Sequence, residues 1–569
     1  VSLKSLQHVI RVARGEEPAD MLIENARVVN VFNGEIEEGN IAIAGEFIAG
    51  VGDYKDGKGT ADLQGKYVCP GFINAHVHIE SSMLDVPEFS RLVVPRGTLG
   101  VVTDLHELAN VLGMEGIRYV SEICRNLPLD FYLMAPSCVP ATGLETSGAV
   151  LSSDDLAEVM NIPGIIGLGE MMNYPGVLSC DEEVLKKIQL YESKIIDGHA
   201  PGLKGKDLTA YIAAGIHTDH ESVTLEEARE KLAKGMHVII REGSSEKNLE
   251  ALLPLVTDKT YKRCMLATDD RNVFDIFNEG DMDFVVYRAI KLGLDPVRAI
   301  QMATINTAEY YGMKKVGAVA PGYYANFVTF DDLETIEVED VMYRGYLMGM
   351  MKEPNFTPRV PKIARPIDTI NIKPLAPEAF KLKPSGEKMP VINVVPDQII
   401  TKKTMEAPKL EDGWVVPDLE RDILKIAVVE RHHATGNIGV GLIKGFGLRK
   451  GAVAGSVSHD SHNVIIVGTN DADMFAAVRE IEMMQGGLVM TLNGEAIGRM
   501  PLPVGGILSI DTAEDAGAQL HDLETLVKVM GVGIKSPFTA LSFMALPVIG
   551  EIRLTDKGIV DVGKFKIIK

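Results

Sequence analysis

Six side chains able to hold a metal ion recur along the first half of this chain, each at or just past the end of a short apolar run. They are His76 and His78 in GFINAHVHIE, Glu170 in GIIGLGEMMN, His199 in KIIDGHAPG, His220 in GIHTDHE and Asp269 in CMLATDDR. On a strand, residues i and i+2 point to the same face, so His76 and His78 can reach one ion together. One carboxylate, here Glu170, can bridge two ions held ~3.5–4 Å apart. An aspartate at the last strand end, Asp269, can both bind metal and accept a proton from an attacking water. The order His-x-His, acid, His, His, Asp therefore points to two divalent ions that activate water for attack on an electron-poor carbon. A histidine-rich set with one bridging carboxylate suits manganese, iron or zinc better than magnesium or calcium.

Each residue has a plainer reading when taken alone. His76 and His78 could be a surface pair, and Glu170 a solvated residue after a strand. His217 competes with His220, although His220 lies further along the strand end and precedes Glu221. Asp270 competes with Asp269. His237 opens the strand HVIIREG and reads as structural. His106 and Glu107, in VVTDLHELANV, end another candidate strand. They read equally well as substrate contacts or proton relays and as a salt-bridged rim. The ordered set is what resists chance, because a random chain would rarely place all six at successive strand ends.

Those strand ends imply an α/β fold. From about Val68 to Asp270, buried strands such as FYLMAPSC, GIIGLGE and HVIIREG alternate with helical stretches such as CDEEVLKKIQLYESK and LEEAREKLAKG. Repeated β-then-α units indicate a (β/α)8 TIM-like barrel, whose strand C-terminal ends carry the site. Before it, from Met21, short strands alternate with turn residues such as Asn33-Gly34. After it, DPVRAIQMATINTAEYYG reads as one helix. GAVAPGYYANFVTF and VEDVMYRG then return to β pattern and could complete the N-terminal sheet. A Pro- and Lys-rich stretch from Lys352 to about Pro396 reads as linker and edge structure. A mixed α/β unit follows. The expected domains are 1–67 and 311–365, two parts of a small flanking β-sandwich; 68–310, the metal-dependent barrel; and 366–569, a C-terminal α/β domain.

Composition limits the partners. The 569 residues are too many for one core and carry a formal net charge of -22. Such an acidic surface repels polyphosphate, so nucleic acid is excluded as an expected partner. No apolar run is long enough to span a bilayer, and the first twenty residues carry no signal-peptide pattern. The five cysteines are odd in number and widely spaced, which suits a reducing cytoplasm. Large barrel enzymes often pair, so a homodimer is expected.

GFINAHVHIESSM, TDLHELANV, GLGEMMNYPGV, DGHAPGL, TDHE and ATDDR together resemble the adenine deaminases of the amidohydrolase superfamily. RHHATGNIGVGLIKGFGL and SVSHDSHNVIIVGTNDADM resemble the extra C-terminal domain of the same family, so the likeness covers nearly the whole chain. The resemblance implies hydrolysis of adenine, as the free base, to hypoxanthine and ammonia at a two-metal centre, usually of manganese or iron. It also implies a flanking β-sandwich. Many members of the superfamily bridge their metals with a modified lysine, and Glu170 holds that place here. The other zinc deaminase architecture needs H-x-E followed by P-C-x-x-C. His78-Ile79-Glu80 mimics its first half, but the cysteine half is missing.

Several assignments stay open. A side chain must supply or stabilise a proton on a purine ring nitrogen, and Glu80, His106, Glu107 and Glu221 are all candidates. His459, Asp460, His462 and Asn463, in SHDSHN, read as a pocket wall or lid, as a further metal site, or as a turn. The same caution applies to Arg431 and His432. The alternative function is a superfamily hydrolase acting on a cyclic amide such as a dihydropyrimidine or hydantoin. A non-catalytic scaffold would have lost ligands, and none of the six is lost.

Overall fold

The computed structural model describes residues 2–350, 353–354, 357–358, 364–395 and 400–568. The stretch read as linker, 352–396, lies partly outside them. Between Phe72 and Ala267, eight strands alternate with helices: Phe72–Val77, Thr98–Asp104, Asp130–Ala135, Ile165–Met171, Ile195–Gly198, Thr218–Asp219, His237–Arg241 and Cys264–Ala267. The first five form one parallel sheet and the last three another. FINAHV and TLGVVTD are buried at every position. Parallel strands covered on both faces show no in–out alternation, and that is why these segments read as continuous apolar runs.

Two contacts relate the sheets. The Gly198 N–H donates to Thr218 Oγ1 at 3.1 Å. Val77 bridges Asp269 in parallel sense, and the Asp269 N–H donates to the His76 carbonyl at 3.0 Å. The strand C-terminal ends, with the metal-capable residues, therefore face one another. The intervening helices start where the sequence supplies caps. The Asp181 carboxylate accepts from the Glu183 and Val184 N–H groups, and the Thr224 hydroxyl accepts from Glu227 N–H.

The segment read as one helix from Asp295 is two, Pro296–Met302 and Ile305–Tyr310. The break frees the Ala303 carbonyl to accept the Ile73 N–H at 2.7 Å, and Thr304 Oγ1 bonds back to the Ile300 carbonyl. A tertiary hydrogen bond at the foot of the first parallel strand outweighs local helix propensity.

Strands before and after this unit join a single nine-stranded sheet. Phe327–Phe330 pairs antiparallel with Tyr67–Pro70, which lies parallel beside Met21–Val29. In the C-terminal part, eight strands from Met389–Val394 to Glu495–Pro501 form another sheet. The helix Asp471–Met484 packs Met474, Ala477, Val478 and Ile481 against Val429, Ile466 and Val489 of that sheet.

Candidate metal centre

Glu170 is the next-to-last residue of the fourth parallel strand and lies at the middle of the site. Its Oε1 is 3.2 Å from His78 Nε2 and 3.9 Å from His76 Nε2. Its Oε2 is 2.6 Å from His199 Nδ1 and 3.1 Å from His220 Nε2. Asp269 Oδ1 closes the first group, 3.4 Å from His78 Nε2 and 3.6 Å from His76 Nε2. Glu221 Oε1 flanks the second, 3.5 Å from His220 Nε2 and 3.7 Å from His199 Nδ1. All six metal-capable residues from the sequence are buried and brought together, whereas His217 is exposed and stands outside.

These residues fit divalent metal. His76 Nε2 and His78 Nε2 are only 3.1 Å apart, and both face the same two carboxylate oxygens. Ligand atoms about 2.0–2.2 Å from a common ion stand about 3.3–3.6 Å apart in a tetrahedron. His76, Glu170 and His220, and likewise His76, His78 and Asp269, converge closely enough to share an ion.

The supporting shell is built from buried polar groups. Asp104, at the end of the second parallel strand, accepts the Glu170 N–H through Oδ2 at 2.7 Å and the His106 N–H through Oδ1 at 3.1 Å. A Cβ on Gly169 would come within 1.9 Å of Asp104 Oδ2, so only glycine leaves room for that bond. Gly169→Ala should displace Asp104 and weaken metal binding by about 10–100-fold; titration of metal-stripped protein with Mn2+ reads the change. Lys231 is fully buried and ties Asp219 Oδ2 to the Ala200 carbonyl, each at 2.8 Å. It thus sets the loops that carry His220 and His199. Lys231→Met leaves Asp219 charged and unpaired, and should cost about 3–5 kcal/mol of stability in a denaturant titration.

Arg241, the last residue of the seventh parallel strand, forks onto Glu221 and also donates to Asp269 Oδ2 at 2.5 Å. Burial raises the Asp269 carboxyl, but Arg241 and His220 hold it below the usual carboxylate range. His199 and His220 do the same for Glu170. Asp269 also holds a left-handed backbone, φ 58°, rare for a residue with a Cβ. Strain of this kind clusters at functional sites.

The cavity beside this cluster is lined by His78, Glu170, His199, His220, Glu221 and Asp269, and by His106, Glu107, Arg241, Glu246, Asp270, His459 and Asp460. Phe543, Leu546 and Ile549 close it from the C-terminal part. Glu80 is buried but does not line the cavity. Its Oε1 accepts the Leu108 N–H at 3.3 Å, and burial pushes its carboxyl up to about 7. His462 sits behind Glu107, bonded to Glu107 Oε2. Asn463 donates to the Thr146 carbonyl at 2.7 Å and accepts the Arg431 N–H, so it ties elements together away from the cavity. Sequence reasoning missed Arg241, Glu246, Asp104 and Phe543. Arg241 carried a signal, being a charge at the end of the apolar run HVII; Phe543 carried none. A larger hollow, about 1190 Å³ and lined by Pro128, Asp130, Tyr343 and Arg344, shares no lining residue with the cavity beside Glu170.

Residues 67–364 match the amidohydrolase family and residues 398–566 the adenine deaminase C-terminal domain. The adenine deaminase of Dehalococcoides mccartyi (strain 195) is 53% identical over 566 residues, 99% of each chain. The chain belongs to the adenine deaminase family. Adenine deaminase 2 of Carboxydothermus hydrogenoformans is 47% identical, covering 100% of this chain and 99% of that one. The adenine deaminase of Clostridium acetobutylicum is 44% identical, covering 99% and 100%. Among solved structures, N-acetyl-D-glucosamine-6-phosphate deacetylase from Mycobacterium smegmatis is similar over 58% of this chain and 100% of that one, at 17% identity and a TM-score of 0.46, a likeness on which nothing further rests. The family is metal-dependent, and this chain holds candidate metal-binding groups. No helix among the described residues is long and apolar enough to cross a membrane.

Proposed function

We propose that this chain hydrolyses free adenine to hypoxanthine and ammonia at a centre of two divalent ions, manganese foremost and iron or zinc as alternatives. The observation that carries the reading is identity of about half the residues along the whole chain to adenine deaminases. The two-sided environment of Glu170 supports a shared, bridging carboxylate. One ion would be held by His76, His78 and Asp269 and the other by His199 and His220, with Glu170 between them. Bound there, the ions supply Lewis acidity, which brings the pKa of water towards 7.

The chain's own groups do the rest. Asp269, ionised beside Arg241, takes a proton from the water that attacks C6. It returns that proton to the exocyclic nitrogen, which must leave as ammonia because amide anion is a very poor leaving group. Glu221, His106 and Glu107 line the cavity and are better placed than Glu80 to serve the ring nitrogens. The cavity holds only about 20 Å³, room for about one water. A purine therefore needs the lining to open, and Leu546 and Ile549, apolar residues from the C-terminal part, support a lid role for this part of the chain.

The eight parallel strands are read as a closed (β/α)8 barrel, supported by the bridge from Val77 to Asp269. The domains proposed are 1–67 with 311–365, 68–310 and 366–569. A cytoplasmic homodimer is proposed, and light scattering should give about twice 61.8 kDa. The test of substrate is chromatographic: adenine should become hypoxanthine, while dihydrouracil and hydantoin stay unchanged. Turnover of either cyclic amide without turnover of adenine would move the chain to the alternative reading.

A further inference from the structure

The C-terminal part does more than cover the cavity. His459 reaches the wall from that part, and its Nδ1 lies 2.6 Å from Glu107 Oε1. Glu107 is fixed from its other side by His462, whose tautomer the backbone sets. His462 Nδ1 accepts the Ser458 N–H at 3.2 Å, so its Nε2 carries the proton and donates to Glu107 Oε2. The ring of His459 stacks on Phe543, with centroids 4.5 Å apart and planes 12° apart. Glu107 and Phe543 together fix where the His459 ring points. Its remaining nitrogen, Nε2, has no hydrogen-bond partner among the described residues.

That nitrogen is a hydrogen-bond donor at the cavity wall, supplied from the C-terminal part as His106 is from the parallel strands. Acidic side chains make up much of the polar lining, Glu221, Glu246, Asp269, Asp270 and Asp460, and of these Asp269 is held ionised beside Arg241 and only accepts. Arg241 is spent on Glu221 and Asp269. Adenine has N–H groups for the carboxylates, but its three unprotonated ring nitrogens, N1, N3 and N7, each need a donor. We propose that His459 contacts the substrate, its Nε2–H donating to one of these ring nitrogens while Glu107 anchors Nδ1. The proposal rests on the adenine reading above and gives the C-terminal part a direct share in recognising the base. Burial disfavours a charge on His459, but the Glu107 carboxylate raises it to about 9, so both ring nitrogens carry hydrogen at neutral pH.

The test is a chemical double-mutant cycle. Inhibition constants of 1-, 3- and 7-deazaadenine, each lacking one ring acceptor, are measured beside the KM of adenine. The proteins are metal-loaded wild type, His459→Phe, which keeps a ring against Phe543, and Glu107→Gln, which keeps the shape of the anchor. A hydrogen bond to a charged donor predicts that wild type binds one deaza compound at least about tenfold more weakly than the other two. In both variants that gap should close to within about twofold. Wild type that binds all three alike would overturn the proposal. So would variants that weaken every ligand equally and keep the gap, because that is the signature of a purely structural role. Binding of these bases without any hypoxanthine from adenine would instead defeat the deaminase reading and leave the contact standing.

Discussion

Glu170→Gln should abolish turnover and empty the centre together. The glutamate presents one oxygen to His76 and His78 and the other to His199 and His220. Glutamine keeps the shape but offers one neutral oxygen, and its amide nitrogen turns a donor towards imidazoles that need an acceptor or an ion. Loss of the several kcal/mol that metal charge contributes in the transition state corresponds to a rate loss of at least about 10³-fold. Elemental analysis of the purified variant should find fewer ions per chain than in wild type. Full occupancy with near-normal turnover would remove Glu170 from the bridging position.

Asp269→Asn should separate chemistry from assembly. The backbone N–H of residue 269 still bonds the His76 carbonyl, and asparagine tolerates the left-handed backbone at this position. The fold should therefore persist, as circular dichroism and the melting temperature would report. Turnover should fall by about 10²–10⁴-fold, the range for removing a general acid–base group. The variant also leaves Arg241 with Glu221 as its remaining carboxylate partner in the site. Near-normal activity would move the proton-transfer role to another residue lining the cavity, with Glu221 first in line.

The two groups of residues differ in how far they could be read ahead of the fold. His76, His78, Glu170, His199, His220 and Asp269 were legible because parallel strands expose chemistry only at their ends. A polar residue closing an apolar run therefore carries positional information. Arg241 obeys the same rule but reads equally as a strand-end charge, and only its fork onto Glu221 and Asp269 distinguishes it. The break at Ala303–Thr304 was illegible because it answers a hydrogen bond from Ile73, more than two hundred residues earlier in the chain. His459 and Phe543 lay beyond reach for a similar reason. Their place over the cavity depends on how the C-terminal part docks, and that docking leaves no period in the sequence. SHDSHN showed that something polar was concentrated there, but not that His459 and Asp460 would face the cavity while His462 and Asn463 would not.

The central claim is that a metal-bearing site built on Glu170 and Asp269 removes the amino group of adenine. Its most direct test is ammonia release from adenine by one preparation in three states: loaded with Mn2+, stripped by chelation, and reloaded. The account predicts release with hypoxanthine in equal amount from the loaded protein, loss of release on stripping, and recovery on reloading. Undiminished release from fully stripped protein, or none from protein carrying its metal, would contradict it.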